Sequence, residues 1–151
     1  MDIKKQTLIK GKIVTLKGVY KKGAVEINNG KIEKVYESAP VSYSGKILDY
    51  TSSYLVAGFI DTHCHGGGGY DCIRGKYDSK KKGFVLSDTI FDEALVSATD
   101  IFSRVPAEAY SIPHTGVIEE GKDADLAVIN IKDAGNKKEI EIVKTIVRGA
   151  I

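Results

Sequence analysis

His63 and His65 carry the chemistry most easily read from this chain, in the run Val56-Ala57-Gly58-Phe59-Ile60-Asp61-Thr62-His63-Cys64-His65-Gly66-Gly67-Gly68-Gly69. Side chains on a strand alternate faces, so imidazoles at i and i+2 point to one side and Cys64 to the other. Two neutral imidazoles on one face can chelate a divalent metal, and Asp61 on the same face can orient a ring by accepting its second N–H. The following glycines let the backbone turn away. For a bare H-x-H, two surface or partner-stacking histidines are the commoner explanation. The apolar strand, the aspartate and the polyglycine together favour the metal.

The elements that must position this run read as follows. Thr7 to Thr15 is rich in β-branched residues and predicts a strand. Ala24–Asn28 and Lys31–Tyr36 flank Asn29-Gly30, and Asn-Gly predicts a hairpin because a type I′ turn needs positive φ at both central residues. Lys46–Tyr50 predicts another strand, set apart from the histidine run by Thr51-Ser52-Ser53. Asp71 to Asp88 is polar and lysine-rich and reads as a linker. Thr89 to Ser103 predicts a helix, capped by Thr89 with Asp92 in the capping-box position. Phe91, Leu95, Ala98 and Phe102 form its apolar stripe, with Ile101 beside it. Pro106 suits the first turn of a short second helix through Tyr110. Asp125–Ile131 and Glu139–Val147 predict two strands joined at Asp133-Ala134-Gly135-Asn136. In the second of these, Ile140, Ile142, Lys144 and Ile146 share one face.

The run GFIDTHCHGGGGYD resembles the first barrel strand of the amidohydrolase superfamily, and the N-acetylglucosamine-6-phosphate deacetylase family in particular. The likeness continues in Asp92-Glu93-Ala94-Leu95-Val96-Ser97-Ala98-Thr99, in Pro106-Ala107-Glu108-Ala109, and in Gly116-Val117-Ile118-Glu119-Glu120-Gly121-Lys122-Asp123-Ala124-Asp125-Leu126-Ala127-Val128, which look like the family's carboxy-terminal end. Ala57 stands where many members have proline. The resemblance implies a divalent metal, zinc or iron, with His63 and His65 as ligands and Asp61 behind them. It leaves two placements for Asp88. Asp88 is either the counterpart of the superfamily's catalytic aspartate, ending an apolar run through Phe84-Val85-Leu86, or it belongs to a region that follows that aspartate.

Length conflicts with a complete enzyme of that kind. A (β/α)8 barrel takes roughly 250 residues, and this sequence has 151. The family pattern is present as two ends without the middle, and the bridging glutamate and later metal histidines of the deacetylases have no evident counterparts. The resemblance then implies a mainly β fold, the small β-sandwich that the two chain ends build beside the barrel, with one or two short helices. A single domain over residues 1–151 is expected, from amino-terminal strands in 1–65 and a helix plus strands in 89–151, joined by the linker 71–88. The expected function is that of an internally truncated deacetylase relative, inactive as this chain. The alternative is a non-catalytic metal-binding or protein-binding β-module. Apolar surface near Phe59, Phe91 and Phe102, which the barrel would cover, is expected to be exposed and open to homodimerisation.

Composition fits this picture. Hydrophobic residues make up 42% and charged residues 28% of the chain, with a net charge of +2. These are ordinary globular values, and the dispersed lysines give no reason to expect nucleic-acid or membrane binding. Lys80-Lys81-Lys82, the one basic run, reads as a solvated loop. No apolar span approaches the ~20 residues of a membrane helix, and Met1-Asp2-Ile3-Lys4-Lys5 lacks a signal-peptide core, so the cytoplasm is the expected compartment. Two cysteines, Cys64 and Cys72, fit a reducing environment. The polyglycine lacks the G-K-[ST] of a phosphate loop. A cysteine nucleophile is conceivable, but Cys64 faces away from the flanking imidazoles. His114, the remaining histidine, reads as a loop residue.

Overall fold

A computed structural model of the chain describes residues 6–60, 88–134 and 137–150. Strands β1 (Thr7–Thr15), β2 (Gly18–Asn28), β3 (Lys31–Tyr36), β4 (Lys46–Ala57), β5 (Leu126–Ala134) and β6 (Lys137–Ile146) form one sheet in the order β3-β2-β1-β4-β5-β6. The fold is mainly β and the sheet is open, as the sequence suggested. The β2–β3 hairpin turns at Asn29 (φ 51°) and Gly30 (φ 79°), the positive angles its Asn-Gly requires. Sequence reading made β2 too short, because Gly18–Gly23 lacks the apolar alternation of Ala24–Asn28.

β1 lies mid-sheet and is covered on both faces, which is why Leu8 and Ile9, adjacent and therefore opposite in direction, are both fully buried. It pairs antiparallel with β2 and parallel with β4. The expected break at Thr51–Ser53 is instead an irregularity within β4, where Gly11 pairs with Tyr50 and Lys12 already pairs with Tyr54. An odd number of extra residues reverses which face the following side chains take. Leu48 and Tyr50 therefore line the same core as Leu55 and Ala57. Without the slip, Leu55 would point the other way.

That core draws on all six strands, with Ile9, Ile13, Val25, Ile27, Ile32, Leu55, Ala57, Leu126, Val128 and Ile146 packed together with Ile118 and Ala124. In a flat sheet β3 and β6 would stand ~24 Å apart at the usual strand spacing. Here a Cβ added at Gly30 would lie 2.8 Å from the Arg148 carbonyl oxygen, and one at Gly149 would lie 2.9 Å from the Ile27 side chain. The sheet is thus coiled so that its two ends approach each other over the core on its inner face. Backbone bonds close the seam: Ile32 N–H donates to Lys122 C=O at 2.9 Å, Gly121 N–H to Ile32 C=O at 2.8 Å, and Ala124 N–H to Gly30 C=O at 2.8 Å. Lys31 and Asp123 add an ion pair. The Gly-Lys-Asp-Ala-Asp-Leu run is therefore a fastener, since Asp125 also accepts the Arg148 N–H on its carboxylate at 2.8 Å.

The other sheet face holds Val14, Tyr54, Val56, Ala127 and Ile129 under helix α1 (Asp88–Thr99). Leu95 is the helix's buried anchor, and Phe91 meets Tyr54 edge to face at 6.0 Å. Phe91 is thus turned onto the sheet and is not part of the exposed surface. The helix starts one residue before Thr89, and Asp92 forms an ion pair with Lys21 of β2. α1 runs directly into a π-turn (Asp100–Arg104) and then α2 (Val105–Ala109). The predicted stripe through Phe102 fails at this point, because the π-turn changes the angular spacing. The buried line is Leu95, Thr99, Ser103 and Ala107, while Ile101 and Phe102 are exposed.

β6 also departs from its predicted pattern. Ile142 pairs with Ile129 but Lys144 pairs with Val128, so Val143 is an extra residue and the faces switch there. Ile146 is buried, whereas Ile140 and Ile142 are exposed. Among the described residues, no helix is long and apolar enough to cross a membrane.

One polar cluster stiffens the β2–β3 side. Glu26 accepts the Tyr36 hydroxyl at 2.7 Å and the Tyr43 hydroxyl at 3.2 Å. The hydrogen bond to Glu26 pushes the Tyr36 phenol up to about 12. Burial, followed by the Glu26 charge, does the same for Tyr43. Both folded-state values lie above the ordinary phenol value of about 10, so their stabilisation is complete below pH 10 and is lost as pH rises toward 12. In a spectrophotometric titration, Tyr36 and Tyr43 should ionise late, and Glu26→Gln should return them toward the ordinary phenol value. Eight tyrosines titrating together would refute this arrangement.

Candidate functional site

His63, His65, Asp61, Cys64 and Cys72 lie outside the described residues, as does the run around Gly75-Lys76-Tyr77-Asp78. What the structure does define is the chain leading up to them. β4 ends at Ala57, paired with Leu126 of β5. Gly58 N–H then donates to Asp125 C=O at 2.9 Å. From the opposite side, the wholly buried Ser103 hydroxyl donates to Ala57 C=O at 3.3 Å. Ile60 N–H donates to Phe102 C=O at 2.9 Å. The Phe59 ring meets Phe102 edge to face, centroids 6.4 Å apart at 86°.

The last residues before Asp61 are therefore held between β5 and the helix, and three residues beyond Ile60 comes His63. Phe59 is 46% and Phe102 48% exposed, so the apolar surface expected at these two residues is present. Ile101 and Val105 extend it.

Ser103 and the Phe102 carbonyl were not among the sequence candidates. Pro106 carries a partial signal, since a proline frees the carbonyl four residues before it. The partner, Ile60, comes from a distant part of the chain that no local pattern indicates. Asp88 opens α1. His114 lies in the loop after α2, where its carbonyl accepts the Asp123 N–H at 2.6 Å, and it helps hold the Asp123 carboxyl below its usual range after the larger effect of Lys31.

Electrostatics around the helix are local. Arg104 binds Asp100 one turn back and Glu108 one turn ahead, at 2.7 Å for the latter, and so bridges the π-turn. The hydrogen bond from Arg104 holds the Asp100 carboxyl below the usual carboxylate range. Among the described residues, no group of three or more His, Cys, Asp or Glu is placed to hold a metal ion. What the described residues do hold is the backbone that leads up to Asp61.

The coiled sheet is fastened by a Gly-Lys-Asp-Ala-Asp-Leu run, and its strand β4 precedes H-x-H in the sequence. Residues 72–151 match the amidohydrolase family, just over half of the chain, and the chain belongs to that family. Over 124 residues, 80% of its length, it is 33% identical to the N-acetylglucosamine-6-phosphate deacetylase of Bacillus subtilis (strain 168), and it spans 26% of that relative. Among solved structures it is similar to a dihydropyrimidinase from Brevibacillus agri NCHU1002, at 30% identity over 40% of this chain and 13% of that one, with a TM-score of 0.34. A TM-score that low carries no weight for the fold.

Proposed function

We propose that this chain is an internally shortened relative of the metal-dependent deacetylases that act on N-acetyl amino sugar phosphates, and that it does not catalyse that hydrolysis alone. The observation that supports this reading is the pairing of β4 with β5, Ala57 opposite Leu126. On this reading the two ends of the family pattern make one composite domain, joined by the chain between them.

Hydrolysis of an amide needs more than this chain offers. A divalent metal would supply Lewis acidity and an activated water, and it needs about three protein ligands with an open position. His63 and His65 are the two ligands this chain can contribute from one strand, with Asp61 behind them. Asp88 becomes a third only if it corresponds to the superfamily's catalytic aspartate. The purified chain, incubated with N-acetylglucosamine 6-phosphate and either zinc or ferrous iron, should release no acetate above the protein-free rate. Measurable metal-dependent release that disappears in His63→Ala would overturn the proposal.

A second reading, a non-catalytic module that binds metal or protein, draws on the exposed Phe59, Ile101, Phe102 and Val105. Apolar residues clustered on one surface favour association, and a second copy of the chain would cover them. Sedimentation equilibrium should show a concentration-dependent dimer that weakens in Phe59→Ser/Phe102→Ser. A strictly monomeric wild type at high concentration would exclude the homodimer. Zinc titration separates metal retention from a bare scaffold, because uptake that is lost in His65→Ala requires the histidine pair. We assign the cytoplasm as the site of action, with neither a nucleic acid nor a membrane as partner.

A further inference from the structure

We propose that Pro106 is a positioning residue for the strand end that leads to His63 and His65: lacking an N–H, it leaves the Phe102 carbonyl to Ile60, and that bond fixes how the chain leaves β4. In an α-helix the N–H of residue 106 would occupy the carbonyl of residue 102. Proline has no such N–H, and its ring would press on that carbonyl. The π-turn relieves the pressure, with Val105 N–H reaching back five residues to Asp100 C=O. The freed Phe102 carbonyl has a different partner. It accepts the Ile60 N–H at 2.9 Å.

The neighbouring contacts show that this bond is part of a clamp. Ser103, next along the helix, holds the Ala57 carbonyl, and Gly58 is held from the other side by Asp125. Across Ala57–Ile60 the backbone is thus gripped at both ends by the helix and in between by the approach to β5. A proline that served only to start α2 would need no partner at Phe102. The significance for the histidines rests on the reading proposed above, whereas the Ile60–Phe102 bond does not.

Pro106→Ala restores the N–H, which competes for the Phe102 carbonyl and favours an ordinary α-helical turn. Losing one backbone hydrogen bond corresponds to about tenfold faster exchange. Hydrogen exchange by NMR should show the Ile60 amide about tenfold less protected, with Val25 in the β1–β2 ladder unchanged. Zinc affinity, measured by titration with zinc chloride, should fall several-fold. Unchanged Ile60 protection, or lost protection with unchanged zinc affinity, overturns the proposal. If the variant does not fold, a through-bond scalar coupling between Ile60 N and Phe102 C′ in the wild type decides it, and absence of that coupling is fatal. If the wild type takes up no zinc, the metal reading fails, and the Ile60 exchange rate alone decides whether Pro106 positions the strand.

Discussion

Leu55→Ala should lower the unfolding free energy by roughly 3–5 kcal/mol, a large part of the 5–15 kcal/mol typical of a domain. Leu55 is fully buried in β4, where the sheet coils over its core, and no strand is free to collapse into the space it would leave. The denaturant midpoint should fall with the slope unchanged, and the thermal midpoint should drop by roughly 10 °C. Ile142→Ala is the matched control. Its side chain is 59% exposed on the edge strand, so its loss should stay within about 0.5 kcal/mol. Gly11 sharpens the experiment, because a Cβ there would lie 2.7 Å from Leu55 Cδ1. Gly11→Ala alone should destabilise, while Gly11→Ala/Leu55→Ala should lose less than the sum, the added methyl filling part of the cavity. Strict additivity would show that the two positions do not share that space.

The second large effect belongs to Gly116, at the close approach of the loop to the helix. Its φ is 90°, and a Cβ would fall 2.7 Å from the Ala107 Cβ and 2.9 Å from the Ser103 carbonyl oxygen. Gly116→Ala must therefore bear both backbone strain and a collision with a helix that cannot yield, together roughly 2–5 kcal/mol. Gly121→Ala separates the two contributions. Gly121 has a similar φ of 85° but open space around it, so it should show the strain alone, about 1–2 kcal/mol. Equal losses in chemical denaturation would mean that the loop does not press on the helix.

The local part of this fold was legible in the sequence. Asn29-Gly30 announced its turn, β-branched runs announced the strands, and Pro106 announced a helix start, because each signal depends on backbone sterics within a few residues. The errors share one cause, which is that register is decided by partners distant in sequence. Thr51–Ser53 reads as a turn by composition, yet pairing with β1 on one side and the needs of the core on the other turn it into a bulge. Val143 is indistinguishable from its neighbours until β5 leaves it without a ladder partner, after which Ile140 and Ile142 fall on an exposed face. Phe102 fits a helical stripe perfectly well until a proline four residues later alters the turn. For the candidate site, the H-x-H motif raises the expectation of a metal, but the groups that hold the chain just before it, a carbonyl and a serine hydroxyl on a helix, carry no motif of their own.

The seam between β4 and β5 has a consequence for how such chains change in evolution. The β4–β5 pairing, the Ser103–Ala57 bond and the Ile32–Lys122 seam all join residues up to Ile60 with residues from Asp88 onward, so the two parts grip each other whatever the length of the segment between them. Closure entropy rises only with the logarithm of loop length, and making that segment ten times longer would cost only about 2 kcal/mol. A whole catalytic body could be inserted or excised there while the platform that carries it stays folded.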